Sequence, residues 1–154
     1  CLDHQVVMTR RAGGGCSVVL DSGNLVVSVV LPSEGLPGIR SSFNALSSWM
    51  IAGLAACGVG GVQQRGTSDL TLDDRKIGGS CIYKPRDVLY YSTTLLVSAD
   101  LALMDTYLKH PPREPDYRKG RAHREFVMNL GERGVTVESL RAKLSRVLSV
   151  PALS

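Results

Sequence analysis

The apolar residues of this chain change their spacing at Pro32, and that change limits the folds open to it. Before the proline, the β-branched run from Leu25 to Leu31 is typical of a strand. After a Pro/Gly loop that ends at Gly38, apolar residues recur every three or four positions, as on one face of a helix: Ile39, Phe43, Leu46, Met50 and Leu54. We interpret this stripe as core, so the chain combines strands with at least one long helix.

Both patterns recur along the rest of the sequence. Further strands are predicted at residues 5–8, 18–20, 70–72 and 88–97. The turn at residues 21–24 predicts a hairpin between residues 18–20 and 25–31. Gly78-Gly79 is expected to interrupt the apolar segment that begins at Ile77.

Two shorter helices are predicted near the end of the chain. One covers residues 101–108, with Asp100 or Ser98 as its N-cap, and the other follows the N-cap Thr136 and stops before Pro151. The apolar face of the second consists of Val137, Leu140, Leu144, Val147 and Leu148. These elements predict an α+β fold, with a mixed or antiparallel sheet packed against helices, in a single domain over residues 1–154.

Composition and charge narrow the functional classes. The 154 residues are 44% apolar and carry a net charge of +4, which suits an anionic substrate or an acidic protein partner. There is no apolar run of about twenty residues, so a membrane span is not expected. Residues 110–124, which are Pro-rich and basic, are interpreted as a mobile or ligand-covering loop. Their basic stretch over residues 113–124 is not interpreted as a nucleic-acid site, because acidic residues dilute it.

The cysteines predict neither a metal centre nor a disulfide framework. Cys1, Cys16, Cys57 and Cys81 show no Cys-x-x-Cys spacing, and the three histidines do not cluster with them. Free thiols in the cytoplasm are therefore expected. Since the chain begins at Cys1 and not at Met, we expect residues upstream of it to be missing.

The first candidate site is a glycine-rich loop that follows two arginines. Arg10 and Arg11 run directly into Gly13, Gly14 and Gly15. Backbone N–H groups of glycines can approach an anion closely, and the guanidinium groups add fixed positive charge. The loop is thus a candidate phosphate or oxyanion cradle; the alternative is a plain turn or linker.

The second candidate is a lysine between a tight acidic turn and a diglycine. Lys76 follows Asp73-Asp74 and precedes Gly78-Gly79, which leave room for a ligand beside its side chain. An ammonium group there would stabilise a phosphate and a developing carbonyl oxyanion together. A surface lysine at a hairpin is the alternative.

Taken in order, the two segments resemble the lipoate–protein ligase family, within the wider group of biotin ligases and octanoyltransferases. The family pattern Arg-Arg-x-x-Gly-Gly is matched from Arg10, and its Asp-x-Gly-Asn-Leu from Asp21. The family's Asp-Leu-Thr and its lysine motif are matched by residues 69–71 and 76–81, and its Thr-Leu-Leu and Asp-Leu by residues 94–96 and 100–101. The resemblance covers roughly residues 5–145.

The resemblance implies a site and a two-step reaction. Arg11, Gly14 and Gly15 would cover the acyl chain and phosphates, and Lys76 would bridge phosphate and acyl carbonyl as the catalytic residue. Acyl-adenylate binding would also involve Cys16, Ser17, Val18, Val19 and Asp69. ATP, with Mg²⁺, and lipoate would form lipoyl-AMP. A lysine of a lipoyl domain of a 2-oxoacid dehydrogenase, or of the glycine cleavage H protein, would then take the acyl group.

Some family features are replaced or missing. Leu20, and Tyr91 with Ser92, stand where the family has histidines. The family's N-terminal region and a C-terminal accessory domain are not in this chain, so a separate accessory protein is a possible partner. Two alternatives stay open: an octanoyl or lipoyl transferase that uses a cysteine thioester, and a non-catalytic relative that binds an acyl-adenylate or a lipoyl domain.

Overall fold

A computed structural model describes residues 5–34, 38–110 and 114–150. The strands in these ranges are β1 (Asn24–Pro32), β2 (Gln63–Arg65), β3 (Asp69–Leu72), β4 (Arg75–Tyr83) and β5 (Val88–Leu96). The helices are α1 (Ile39–Ala56), α2 (Ala102–Tyr107), α3 (His123–Phe126) and α4 (Val137–Val147). Short 3₁₀ turns occupy Asp116–Arg118 and Leu130–Arg133.

The five strands form one sheet in the order β1-β5-β4-β3-β2, and every neighbouring pair is antiparallel. The predicted α+β class, with an antiparallel sheet and helices, is confirmed. β4 lies in the middle of the sheet and continues through Gly78-Gly79, so the predicted interruption is wrong. Gly78 suits the centre of the sheet because a Cβ there would lie only 2.5 Å from the Thr94 carbonyl oxygen.

The main core lies between one face of the sheet and helices α1 and α4. The predicted stripe of α1 supplies Leu46, Met50 and Leu54, all fully buried. Met50 and Leu54 pack with buried residues of the strands and of α4, including Leu70, Ile77, Leu95, Leu140 and Leu144. Leu46 packs in a second cluster with Leu31, Leu89 and Tyr91. Burial of these aliphatic side chains is the dominant force holding the layers together.

Helix α4 begins as the sequence predicts. The Thr136 side chain accepts a hydrogen bond from the Ser139 N–H, at 3.2 Å. Val147, predicted to lie on its apolar face, is 44% exposed, whereas Leu148 of the same predicted face is half-buried against the core. Pro151, predicted to stop this helix, lies outside the described residues.

Residues 5–8 and 18–20 are not strands, and the predicted hairpin is therefore wrong. Val7 is 90% exposed and Leu20 is 55% exposed, so neither segment has the burial that would favour a strand. The Asp21 carboxylate accepts hydrogen bonds from the N–H groups of Gly23 and Asp100. These bonds fix the turn against the residues that follow β5 instead of folding it into a hairpin.

Helix α2 occupies part of the segment predicted at residues 101–108. Its first backbone N–H, at Ala102, is satisfied by the Asp100 carboxylate at 2.9 Å. The predicted mobile stretch carries the 3₁₀ turn Asp116–Arg118 and helix α3, while residues 111–113 lie outside the described ranges.

The cysteines at 16, 57 and 81 are free thiols, and burial raises the pKa of Cys57. Cys1 lies outside the described residues.

Candidate functional site

The face of the sheet opposite α1 carries the candidate site. We call it the outer face; it is formed by alternate residues of three strands: Val26, Ser28, Val30, Gly79, Cys81, Tyr83, Tyr90, Ser92 and Thr94. Ser28 donates to Ser92, and its hydroxyl also lies 3.0 Å from that of Tyr90. Tyr91 faces the core instead, where its hydroxyl lies 2.8 Å from Ser80 Oγ. Tyr90 and Tyr91 therefore lie on opposite faces of the sheet.

An irregularity in strand pairing brings Lys76 to the outer face. Strict alternation along β4 would put residues 76 and 79 on opposite faces. Leu70 pairs with Gly78 but Thr71 pairs with Lys76, so Ile77 is an extra residue in β4. A β-bulge of this kind reverses the alternation beyond it. A Cβ at Gly79 would accordingly lie 3.3 Å from the Lys76 ammonium nitrogen.

The Lys76 ammonium is held by a carboxylate on the neighbouring strand. Its Nζ lies 2.6 Å from Asp69 Oδ1, and the two side chains are 29% and 16% exposed. Asp69 is paired directly opposite Gly79, which has no side chain to separate the two charged groups. Asp69 and Lys76, two of the predicted site residues, are therefore in direct contact.

The other oxygen of this carboxylate accepts a hydrogen bond from a residue that sequence reasoning missed. The Tyr117 hydroxyl donates to Asp69 Oδ2 at 2.7 Å. Burial, and then the hydrogen bond and charge of Asp69, raise the pKa of Tyr117 above its ordinary value of 10.0. The available signal was the aromatic residue within the basic stretch at residues 113–124, but nothing in the sequence paired it with Asp69.

The glycine-rich loop is closed by one of its own arginines. The Arg11 guanidinium donates to the Gly14 carbonyl at 3.1 Å and to the Cys16 carbonyl at 2.7 Å. Gly15 has a φ of +107°, and a Cβ there would lie 2.8 Å from Arg11 Nη2. Arg11 therefore holds the loop in shape and leaves its positive charge beside the glycines.

This loop lies against the outer face. A Cβ at Gly13 would lie 3.0 Å from the Sγ of Cys81. Cys81 is two residues beyond Gly79 on β4, a separation of about 7 Å along a strand. The loop and the Lys76 ammonium are therefore on the same side of the sheet and near each other. Beyond the loop, Ser17 and Val18 are exposed and Val19 is half-buried.

Within the described ranges, no group of three or more His, Cys, Asp or Glu side chains is placed to hold a metal ion. Asp69, the carboxylate among the predicted site residues, is already engaged by Lys76 and Tyr117. These residues do not form a magnesium site of their own. In the same ranges, no helix combines the length and apolar character that crossing a membrane requires.

The sequence over residues 1–149 matches the family model described as "Lipoyl protein ligase A/B catalytic domain". The chain belongs to this family. It is 28% identical over 160 residues to a lipoate–protein ligase of Streptococcus pyogenes serotype M5 (strain Manfredo), an alignment that covers 99% of this chain and 46% of that protein. The chain thus spans about half the length of this relative.

Solved structures of lipoate ligases share the fold. The bi-partite lipoate protein ligase of Thermoplasma acidophilum, studied with its E2 lipoyl domain, is 26% identical with a TM-score of 0.80. That match covers 94% of this chain and 57% of the ligase chain. Lipoate-protein ligase A bound with ATP is 24% identical with a TM-score of 0.76, over 94% of this chain and 58% of the other, and shows the fold alone.

Proposed function

We propose that this chain activates lipoate with ATP to give lipoyl-AMP and transfers the lipoyl group to a protein lysine. The observation that carries the proposal is the Lys76 ammonium, held 2.6 Å from Asp69 on the face against which the glycine-rich loop lies. Family membership supports the ligase class. ATP is the nucleotide that the family resemblance implies.

In the first step, a carboxylate oxygen of lipoate attacks the α-phosphorus of ATP, and the bond to pyrophosphate breaks. Negative charge on the phosphoryl oxygens must be stabilised as the two anions meet. An ammonium group has three N–H donors, and Asp69 accepts one from Lys76. The other two remain for an α-phosphate oxygen and the acyl oxygen.

In the second step, the neutral ε-amine of the target lysine attacks the acyl carbonyl, AMP leaves and the amine loses a proton. The developing oxyanion lies at the acyl oxygen that Lys76 would contact. Lys76 thus supplies charge and position in both steps rather than a nucleophile.

The loop would hold the other end of the adenylate. Gly14 and Gly15 present backbone without side chains, and the charge of Arg11 stays beside them because its hydrogen bonds tie it to the loop. We assign Cys16, Ser17, Val18 and Val19 to the nucleotide side, as the family resemblance implies. Mg²⁺ would enter with the phosphates of ATP.

The acceptor we propose is a lipoyl domain of a 2-oxoacid dehydrogenase or the H protein. The Thermoplasma neighbour is described with its E2 lipoyl domain. That neighbour is bi-partite, which supports a separate accessory protein as a second partner. The net charge of +4 favours encounter with an acidic partner.

The free thiols of Cys16, Cys57 and Cys81 support a cytoplasmic location for the protein.

The test is to replace Lys76 by Ala and to measure pyrophosphate release with lipoate and ATP, with and without an accessory domain. We expect a loss of at least about a hundredfold, the scale of removing one preorganised charge partner. Lys143→Ala is the matched control, since Lys143 lies on α4, where it donates to the Cys57 carbonyl. Release at the wild-type rate in Lys76→Ala would refute the proposal.

The same assay separates the alternatives. Binding of lipoyl-AMP without any pyrophosphate release would indicate a non-catalytic relative. A transferase would instead form an acyl thioester, and Cys81 is the thiol to examine first because it lies beneath the loop. Mass spectrometry of Cys16 and Cys81 after incubation with octanoyl carrier protein detects that intermediate.

A further inference from the structure

The contacts of Asp69 form a continuous chain from the 114–122 segment to the candidate catalytic lysine. Tyr117 donates to Oδ2 at 2.7 Å, and Oδ1 lies 2.6 Å from the Lys76 ammonium. Each carboxylate oxygen is therefore engaged by a different partner. The hydroxyl and the ammonium together determine how the carboxylate is oriented.

The segment that carries Tyr117 is bonded to itself. Arg118 Nε donates to the Arg121 carbonyl at 2.9 Å, and Arg121 Nε donates back to the Arg118 carbonyl at 3.0 Å. Arg121 also donates to the Tyr117 carbonyl at 2.7 Å. Because its own carbonyl and the backbone that follows it are held, Tyr117 projects from a defined turn.

The ring of Tyr117 is held as firmly as its backbone. It packs on Phe126 with 5.2 Å between ring centroids, and the Arg65 guanidinium lies 5.3 Å from its centre. These contacts do not involve the hydroxyl, so Tyr117→Phe removes the hydrogen bond to Asp69 and keeps the packing.

The same part of the chain also fixes the backbone of Lys76. The Met128 N–H donates to the Lys76 carbonyl at 2.9 Å, two residues after Phe126. The 117–128 segment therefore reaches Lys76 at two points, through its own backbone and through Asp69.

We propose that Tyr117 is a positioning residue for Lys76. Its hydroxyl fixes the Asp69 carboxylate, and the fixed carboxylate sets the direction of the ammonium on the outer face. The role of Lys76 in catalysis rests on the proposed function, but the positioning itself is a property of the ligand-free protein and is tested without substrate.

The experiment measures how fast a water-soluble amine-acylating reagent labels Lys76, read by peptide mass spectrometry. Lys143 in the same protein serves as the internal reference. We expect Tyr117→Phe to raise the rate at Lys76 about threefold to tenfold, the scale of losing one ordinary intramolecular hydrogen bond. Asp69→Ala is expected to raise it further, because the ammonium then has no carboxylate partner.

A double-mutant cycle distinguishes positioning from a general structural role. If Tyr117 acts through Asp69, adding Tyr117→Phe to Asp69→Ala leaves the rate unchanged. Tyr91→Phe is the matched control: it removes a buried tyrosine hydroxyl that lies 2.8 Å from Ser80 and has no contact with Asp69. It is expected to leave labelling of Lys76 at the wild-type rate.

Four results would overturn the proposal. Two are an unchanged labelling rate of Lys76 in Tyr117→Phe and an unchanged rate in Asp69→Ala. The other two are an equal increase when Tyr117→Phe is added to the wild-type protein and to Asp69→Ala, and a parallel increase in the labelling rate of Lys143. None of them depends on ligase activity. If labelling behaves as expected but the wild-type protein releases no pyrophosphate, the proposed function fails and the positioning role stands.

Discussion

Adding one methyl group at Gly79 should disturb the candidate site and leave the fold intact. The new Cβ would lie 3.3 Å from both Cε and Nζ of Lys76 and 3.7 Å from Asp69 Oδ1. Ordinary contacts are about 3.5–4.0 Å, so the end of the lysine must move by a few tenths of an ångström. The atoms in the way belong to a flexible side chain, and the change in unfolding free energy should stay within about 1 kcal/mol.

Activity should respond more than stability. A misplacement of about 1 Å can cost a hundredfold in rate, so a shift of roughly half that predicts about a tenfold loss of pyrophosphate release. The assay is pyrophosphate release with lipoate and ATP, with thermal unfolding measured on the same samples.

Two other glycines provide the controls. A Cβ at Gly60 meets no atom of the described residues within 4 Å, so Gly60→Ala should match wild type in rate and stability. A Cβ at Gly78 would lie 2.5 Å from the Thr94 carbonyl oxygen, where backbone must shift, and Gly78→Ala should cost about 2–3 kcal/mol of stability. Wild-type activity in Gly79→Ala, or a stability loss there as large as in Gly78→Ala, would refute this account of Lys76.

Two predictions concern stability. Burial and Asp69 raise the pKa of Tyr117 in the folded protein. The contribution of Tyr117 to stability is therefore fully present below its ordinary pKa of 10.0 and is lost as the pH rises above that value. Between neutral and alkaline pH, the unfolding free energy measured with urea should therefore fall less in Tyr117→Phe than in the wild-type protein. The same fall in both proteins would contradict this role of Tyr117. The Asn129 side chain donates to the Ala99 carbonyl at 2.9 Å and accepts from the Ala99 N–H at 3.0 Å. Asn129→Ala should lower the unfolding free energy by about 2–3 kcal/mol because it leaves the buried N–H and carbonyl of Ala99 unpaired. A change below about 0.5 kcal/mol would count against this role of Asn129.

Local patterns were sufficient for the two long helices, α1 and α4. The stripe predicted the start of α1 at Ile39, although Ile39 itself is 57% exposed, and it predicted the buried face from Leu46 to Leu54. A helix that packs on a sheet must present apolar residues at its own period. Thr136 predicted the start of α4, because a cap bonds to N–H groups only a few residues away. Both signals are short-range in sequence.

Strand predictions failed where a partner was required. Residues 18–20 have the composition of a strand, yet Val18 and Leu20 are more than half exposed and pair with no strand in the described ranges. Composition describes what a strand would tolerate, whereas a strand forms only when a second segment satisfies its hydrogen bonds. β2, from Gln63 to Arg65, was not predicted because three polar residues carry no periodic signal.

By itself, the sequence determined the fold class and the family, and it singled out Lys76, Asp69 and the glycine-rich loop as site candidates, because these depend on residue types and their order. Only the tertiary structure decided which of those residues meet. The extra residue at Ile77 turns Lys76 to the outer face, where it reaches Asp69, and the 114–122 turn adds Tyr117 from 48 residues away. Both depend on how distant segments pair, and side chains that converge across a sheet leave no signal in the spacing of either strand.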